Sequence, residues 1–121
     1  MNERFDVLVV GAGPAGIAAA VTAAEAGRSV ALLDDNPAPG GQIWRNGGSM
    51  PAQARQWLER LEKSATVRLQ GWRVVDCPGP RRVRAERNGL AAESANHGEV
   101  DCADFDYNQL ILATGARERF L

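Results

Sequence analysis

A glycine-rich turn directly after a short apolar run is the feature that most constrains how this chain folds. The run covers residues 6–10, and the turn contains Gly11, Gly13 and Gly16 in the pattern G-x-G-x-x-G. An uninterrupted apolar run that ends at a glycine is typical of a central parallel strand covered on both faces. Residues 14–26 are mostly alanine with larger apolar residues at helical spacing, and a glycine follows them, as at a helix end. The sequence therefore predicts a strand, a tight turn and a helix packed closely on a sheet.

Residues 28–34 predict a second buried strand, which ends in Asp34, and a second acid, Asp35, follows it. Asp34 lies roughly 20 residues beyond the glycine turn, the spacing of the acid that binds a ribose in dinucleotide-binding βαβ units. In such units the glycines let the backbone approach a pyrophosphate, and the helix N-terminus presents N–H groups and a positive dipole end to the phosphates. A glycine turn alone is equally consistent with a structural role, but this context predicts a dinucleotide site.

The predicted site comprises the turn and the acid that ends the second strand: Gly11, Gly13, Pro14, Ala15, Gly16 and Asp34. Because Asp34 ends the apolar run directly, we expect its carboxylate, rather than that of Asp35, to face the ribose. We also expect Gly13→Val to abolish nucleotide binding, because a branched side chain would fill the pyrophosphate space and strain the turn.

The rest of the chain predicts a second helix and several short strands. We expect the helix at 51–63 and the strands at 66–69, 72–75, 82–86, 90–93 and 110–113, the last one buried. Asn88 and Gly89 predict a two-residue hairpin turn between the strands on either side of them. Residues 94–104 are polar and predict a loop. The expected fold class is α/β, a Rossmann-like domain whose parallel sheet carries a small antiparallel insertion.

Composition and charge restrict the partners. The chain has 121 residues, of which 14 are basic and 15 are acidic, and its formal net charge is −1. It therefore lacks the excess of positive charge that is typical of proteins that bind nucleic acid or an anionic membrane. No apolar run approaches the roughly 20 residues of a membrane span, and the N-terminus lacks a signal-peptide pattern. We expect a cytoplasmic protein with a small-molecule partner, no nucleic acid and no membrane span.

Few residues suggest catalytic or metal chemistry. Cys77 and Cys102 fit neither a zinc motif nor a disulfide framework, and His97 stands in a polar stretch without a base or metal-ligand partner. We therefore predict no metal site, and the catalytic residues stay unassigned. Trp44 and Arg45 are given no role, because a loop tryptophan usually packs and a loop arginine is usually solvated.

Three further segments resemble a known family. They are residues 34–37 (DDNP), 40–45 (GGQIWR) and 113–119 (ATGARER). With the glycine turn, they are similar to FAD/NAD(P)-dependent oxidoreductases that have two dinucleotide-binding domains, a family that includes thioredoxin-reductase-like enzymes. Within it they most resemble the FAD subunits of opine oxidases, hydrogen cyanide synthase and related amine dehydrogenases.

The resemblance implies FAD as the cofactor and contacts with it at further positions: Gly40, Gly41, Gln42, Val74, Ala113, Thr114 and Gly115. The glycine pair and the glutamine would lie beside the pyrophosphate and the ribityl chain of the flavin. Backbone near the valine would meet adenine, and the Ala-Thr-Gly segment would pass close to FAD. Glycines at these places are compatible with close approach of the backbone to a ligand.

Two departures from the family restrict what the chain can do. Disulfide-reducing members carry a redox-active cysteine pair next to the flavin, and this sequence has no such pair. In the family, Ala-Thr-Gly is followed by a complete second nucleotide domain and by a return segment that binds the ribityl chain, but this sequence stops at Leu121. We therefore expect residues 1–121 to form a single FAD-binding domain of a longer enzyme, inactive alone. An apolar face left uncovered would favour a homo-oligomer.

The expected function is FAD-dependent oxidation of an amine or opine-like substrate by the intact enzyme. The expected protein partner is another oxidoreductase subunit. Two alternatives stay open at this point. An NAD-dependent dehydrogenase shares the first glycine motif, although the Gly40-Gly41 and Ala113-Thr114-Gly115 segments favour FAD. A non-catalytic nucleotide-binding module would use the same fold without chemistry.

A thiol-centred mechanism is predicted to be absent. Replacing Cys77 and Cys102 together by serine should leave the turnover of the complete enzyme largely unchanged, because neither cysteine belongs to a redox motif. Steady-state kinetics, with flavin absorbance as the control for cofactor content, measure this. Loss of turnover in a folded, flavin-containing variant would contradict the prediction.

Overall fold

A computed structural model describes residues 2–35, 51–87 and 102–114. In these ranges it contains one sheet in the strand order β3-β2-β1-β6-β5-β4, and two helices. The elements, in chain order, are β1 (Asn2–Val10), α1 (Pro14–Glu25), β2 (Val30–Asp34), α2 (Ala52–Lys63), β3 (Val67–Gln70), β4 (Trp72–Gly79), β5 (Arg82–Arg87) and β6 (Cys102–Leu112).

One half of the sheet is parallel and has β1 at its centre. β1 pairs in parallel with β2 on one edge and with β6 on the other, and β3 pairs in parallel with β2. Both helices pack on one face of these strands and bury an apolar cluster there: Val7, Val9, Ala12, Ile17, Ala20, Val21, Val30, Leu32 and Leu61. The alanine-rich face of α1 lets this helix lie close to the sheet, as its sequence predicts.

The two helices are joined on their outer side by one arginine. Arg60 of α2 forms a salt bridge with Glu25 of α1, and its guanidinium lies 4.3 Å from the ring centroid of Trp57. This contact is consistent with an arginine that packs its planar group on an aromatic face while it pairs with a carboxylate. It holds α2 beside α1 at the helix-covered face.

The other half of the sheet is antiparallel, and β6 belongs to both halves. Residues 102–106 of β6 pair antiparallel with β5, whereas residues 104–112 pair in parallel with β1. β4 and β5 form a hairpin that covers the second face of the parallel strands. The second-face cluster, which lies between the hairpin and the parallel strands, contains these buried residues: Phe5, Leu8, Ala31, Leu33, Val83, Ala85 and Phe105. Phe105 is 2% exposed. Its ring lies 5.8 Å from that of Trp72 in a T-shaped arrangement and 6.4 Å from that of Phe5.

The predicted hairpin between residues 82–86 and 90–93 is wrong. β5 already has β4 on one edge and β6 on the other, and Glu86 lies opposite both Arg73 and Cys102. The hairpin that the structure contains turns at Pro80 and Arg81, where Arg81 has a φ of 57°. An Asn-Gly pair indicates a local turn, but it does not indicate which distant strand pairs with the edge of the strand before it. Residues 88–101 themselves lie outside the described residues.

The end of the predicted polar loop at 94–104 is also corrected, because β6 begins at Cys102. The first part of β6 looks polar in sequence because it contains Asp104 and Asp106, which lie opposite Arg84 and Arg82 on β5. The nitrogen–oxygen distances in these two ion pairs are 2.8 and 2.6 Å. Hydrogen bonds from the arginines lower the pKa of both carboxyl groups, so these pairs are intact at neutral pH and are lost as the pH falls through the lowered pKa values.

The last strand is less buried than predicted. Leu110 packs against the second-face cluster, but Ile111 is 36% exposed and Leu112 is 70% exposed. The β4–β5 hairpin covers the sheet around Phe105 and does not extend over these two side chains. Apolar side chains therefore face outward at the end of β6. Neither described helix is long and apolar enough to cross a bilayer.

Phe105→Ala should strongly destabilise the domain. Truncating a fully buried phenylalanine costs about 3–5 kcal/mol, and this ring joins the hairpin to the parallel strands. Val75→Ala is the matched control, because Val75 is 45% exposed and its loss should cost about 1 kcal/mol or less. Urea unfolding of both variants measures the difference, and equal losses would show that Phe105 is not central to the core.

Candidate nucleotide-binding site

The candidate site lies where three parallel strands end side by side. The backbone N–H of Gly11, after β1, donates to the carbonyl oxygen of Leu33 in β2 at 2.8 Å. The N–H of Ala113, after β6, donates to the carbonyl oxygen of Val10 at 2.8 Å. From β1 the chain continues to β2 on one side, while the other neighbour, β6, comes from far along the chain. In open α/β sheets, ligands bind in the crevice outside the strand ends at such a switch point.

Gly11 and Gly16 are required by the protein itself. Gly11 has a φ of 107°, and a Cβ there would lie 2.3 Å from the carbonyl oxygen of Ala113. A Cβ on Gly16 would lie 1.7 Å from the carbonyl oxygen of Gly11. Both distances are far below van der Waals contact, so a side chain at either position would push α1 or β6 away from the end of β1. These two glycines set how closely the helix and the last strand approach the turn.

Gly13 differs from the other two glycines of the motif. It caps the N-terminus of α1 with a φ of −77° and a ψ of −172°, which is extended backbone open to any residue. A Cβ at this position would have no atom of the described residues within 4 Å. The expectation that Gly13→Val would strain the turn is therefore wrong. Among the described residues the space in front of Gly13 is open, as it is in glycine turns where the backbone approaches a phosphate group.

The start of α1 completes this cradle. Pro14 occupies the first turn, where its missing N–H costs nothing because the first N–H groups of a helix have no partner within the helix. Ala15 is exposed and Gly16 is buried beneath it. There are no acidic residues in the first turn, so the positive end of the helix dipole is not neutralised there. An anion at this position meets backbone donors and a favourable field.

Asp34 is buried at the end of β2, next to the glycine turn. It is 6% exposed, and Leu33, the residue before it, is the partner of Val10 in β1. The Nε2 atom of Gln70, at the end of β3, donates to Oδ2 of Asp34 at 3.5 Å. Asp35 follows the strand and is exposed. The structure therefore buries Asp34 at the carboxyl end of β2 and leaves Asp35, the residue after it, exposed.

The remaining predicted residues fall into three groups. Ala113 and Thr114 lie beside Gly11 at the end of β6. Val74 lies in β4, half-buried in the second-face cluster that also contains Leu33. A third group lies outside the described residues: Gly40, Gly41, Gln42 and Gly115.

Gln70 was missed by the sequence analysis. Its proximity to Asp34 depends on the pairing of β3 with β2, in which Asp34 and Gln70 are direct partners. A polar residue at the end of a strand, directly before Gly71, was the signal available in the sequence.

The described residues contain no group of three or more histidine, cysteine or acidic side chains that could hold a metal ion. Cys77 and Cys102 are exposed and do not form a disulfide. Cys102 begins β6, whereas Ala113 follows its other end, which separates this thiol from the glycine turn by roughly 30 Å along the strand.

A strand-turn-helix unit with an acid on the second strand, seated at the switch point of a partly parallel sheet, defines a dinucleotide-binding protein of the Rossmann-like class. Comparison with known proteins identifies the family. Residues 6–112 match the family described as FAD dependent oxidoreductase, and the chain belongs to this family.

Individual relatives support the same assignment. The chain is 60% identical over 127 residues to an opine oxidase subunit of Agrobacterium tumefaciens (strain Ach5), covering 98% of this chain and 25% of that protein. It is 48% identical over 130 residues to the alpha subunit of sarcosine oxidase from Corynebacterium sp. (strain U-96), covering 98% of this chain and 14% of that protein. The thioredoxin reductase of Streptococcus pyogenes MGAS5005 matches 100% of this chain and 38% of its own at a TM-score of 0.61 and 29% identity. The chain thus spans a quarter or less of the two oxidase relatives.

These findings confirm several predictions. The fold class is α/β with an antiparallel part, and the family is the one that the sequence resembles. The cofactor of this oxidoreductase family is FAD, as the resemblance implies.

Substitution by alanine should separate the glycines of the turn. Gly16→Ala should lower the free energy of unfolding by about 1–3 kcal/mol or more, because the new methyl group overlaps the carbonyl oxygen of Gly11. Gly13→Ala is the matched control and should change it by less than about 1 kcal/mol, since its φ is already negative and its surroundings are open. Urea or thermal unfolding distinguishes the two, and a Gly13 variant as unstable as the Gly16 variant would contradict this geometry.

Proposed function

We propose that this chain binds the ADP portion of FAD at the carboxyl edge of its parallel strands. The observation that carries this proposal is the open space at Gly13, between two glycines that the fold itself requires. A Cβ at Gly13 would meet no atom of the described residues within 4 Å, and a ligand that approaches the backbone there would account for a glycine at this position.

In this proposal the pyrophosphate lies against the turn and the first residues of α1: Gly11, Gly13, Pro14, Ala15 and Gly16. The backbone N–H groups of the first helical turn donate to the phosphate oxygens, and the dipole of α1 adds a favourable field. The close packing enforced by Gly11 and Gly16 holds these donors in place before the nucleotide arrives.

Asp34 is proposed to accept hydrogen bonds from the adenosine ribose hydroxyls. Its carboxylate is held at the end of β2, while Asp35 faces solvent and contributes little. Bonds between hydroxyls and a charged acceptor are worth about 1.5–3 kcal/mol. A carboxylate here also disfavours a nucleotide with a 2′-phosphate, because the two negative charges repel.

The other contacts proposed with the cofactor follow the family resemblance: Gly40, Gly41, Gln42, Val74, Ala113, Thr114 and Gly115. The position of Ala113 and Thr114 against Gly11 supports their part of this proposal, since they line the same end of the sheet. The half-buried position of Val74, in one cluster with Leu33, is compatible with adenine packing near the end of β2.

For the intact protein we propose FAD-dependent oxidation of an amine or opine-like small molecule, with residues 1–121 as one FAD-binding domain. The names of the relatives, which are subunits of opine oxidase and sarcosine oxidase, support this substrate class. Bound FAD would supply a hydride acceptor. The same names support a partnership with another oxidoreductase subunit. We also propose a cytoplasmic location, which the oxidoreductase relatives support.

Titration of ADP and FAD into the chain and its variants tests the site. Gly13→Val should remain folded and bind neither ligand measurably, because its side chain occupies the phosphate space. Asp34→Ala should weaken ADP binding by about 1.5–3 kcal/mol. Asp35→Ala is the control and should change the affinity by less than about 0.5 kcal/mol. Calorimetry measures the affinities, and thermal unfolding verifies that each variant is folded.

Two results would contradict the proposal. Full binding by a folded Gly13→Val variant would show that the pyrophosphate lies elsewhere. A larger effect of Asp35→Ala than of Asp34→Ala would show that the ribose is bound by the exposed carboxylate.

A further inference from the structure

We propose that Gln70 is a positioning residue for ribose recognition, which orients the carboxylate of Asp34 from the neighbouring strand. This inference rests on the proposed nucleotide site and adds to it a residue on β3. It assigns no direct contact between Gln70 and the nucleotide.

The backbone pairing brings the two side chains together. Asp34 and Gln70 are direct partners at the ends of the parallel strands β2 and β3. Partners on neighbouring strands lie about 5 Å apart, with side chains on the same face of the sheet. The amide nitrogen Nε2 of Gln70 donates to Oδ2 of Asp34 at 3.5 Å. Gln70 is half-buried and Asp34 is buried.

The position of Gln70 is itself constrained by the chain that follows it. Gly71 is buried and has a φ of 77°, a conformation that favours glycine. It turns the chain from β3 directly into β4, whose first residue, Trp72, packs against Phe105. The end of β3 is thus tied to the core of the second face, and Gln70 is presented to Asp34 from a fixed support.

A buried carboxylate needs hydrogen-bond donors, and to accept from a ligand it must also be oriented toward that ligand. Rotation about its last side-chain bond is broad and has no strong preference, so a donor on one oxygen helps to determine where the remaining lone pairs point. A bond of 3.5 Å is weak, and its main effect is therefore on orientation rather than on stability. Ribose hydroxyls would meet an acceptor that already points at them, which lowers the entropic cost of binding.

The test uses a ligand that lacks the groups that Asp34 would bind. ADP and 2′,3′-dideoxy-ADP are titrated into the wild-type chain, Gln70→Leu and Gln70→Glu. Gln70→Leu removes the donor, and Gln70→Glu replaces it with an acceptor of the same shape. Gln56→Glu makes the same chemical change on the exposed face of α2 and is the matched control.

Both Gln70 variants should bind ADP about tenfold more weakly than the wild type, the size of one hydrogen bond's contribution. Their affinity for 2′,3′-dideoxy-ADP should stay within about twofold of the wild type, because this ligand has no hydroxyls for Asp34 to accept. The control should bind both ligands like the wild type. Thermal unfolding is recorded for every variant.

An equal loss of affinity for the two ligands would overturn the inference, since a purely structural residue would affect both. Unchanged ADP binding would overturn it as well, as would unfolding of both Gln70 variants, which would make Gln70 a residue that stabilises the fold.

If the wild-type chain binds ADP no better than dideoxy-ADP, ribose recognition by Asp34 fails, and the inference fails with it. If the wild type distinguishes the ligands and the Gln70 variants do so equally, only the inference fails.

Discussion

The fold depends on close backbone contacts at Gly11 and Gly16, where there is no room for a side chain. At the end of β1, a Cβ on Gly11 would overlap the carbonyl oxygen of Ala113, and a Cβ on Gly16 would overlap that of Gly11. These contacts bring the end of β6, the end of β1 and the first turn of α1 into one compact unit. The backbone donors of the helix start are exposed to a ligand only because this unit leaves the space at Gly13 open. Two of the three glycines in the motif therefore permit the packing, whereas the third, in the proposed site, would permit the ligand.

The parallel half of the fold could be predicted because its signals are local. The apolar run of β1, the alanine-rich α1 and the run that ends at Asp34 follow one another with short connections, and each has the periodicity of its element. The antiparallel half depends on which distant strands share an edge. β6 looked polar in sequence because Asp104 and Asp106 alternate with buried residues, and their compensation by Arg84 and Arg82 becomes visible only once β5 and β6 are paired. The Asn-Gly pair pointed to a neighbour along the chain, whereas the pairing of β5 is with β4 and β6.

The candidate site likewise has residues that local sequence signals predict and residues that depend on the pairing of distant strands. The spacing of the glycines and of Asp34 was sufficient to place them together, and burial then separated Asp34 from its neighbour Asp35. Gln70 could not be placed from sequence, because a residue of β3 reaches Asp34 only through the register of two parallel strands. The conformation of Gly13 also could not be inferred from the motif, since a glycine in a turn can be present for its backbone angles or for the space it leaves.

The double pairing of β6 has a consequence for the order in which the domain forms. One edge of β1 pairs with β2, but the other pairs with a strand that lies roughly a hundred residues later in the sequence. On the ribosome, β1 and the glycine turn emerge long before β6, so pairing on that edge has to await nearly the whole domain. Such distant pairing is slow, and an apolar strand with an open edge attracts other strands in the meantime. The glycine turn is thus synthesised roughly a hundred residues before the strand that completes it, because Gly11 meets Ala113 only after β6 has joined the sheet.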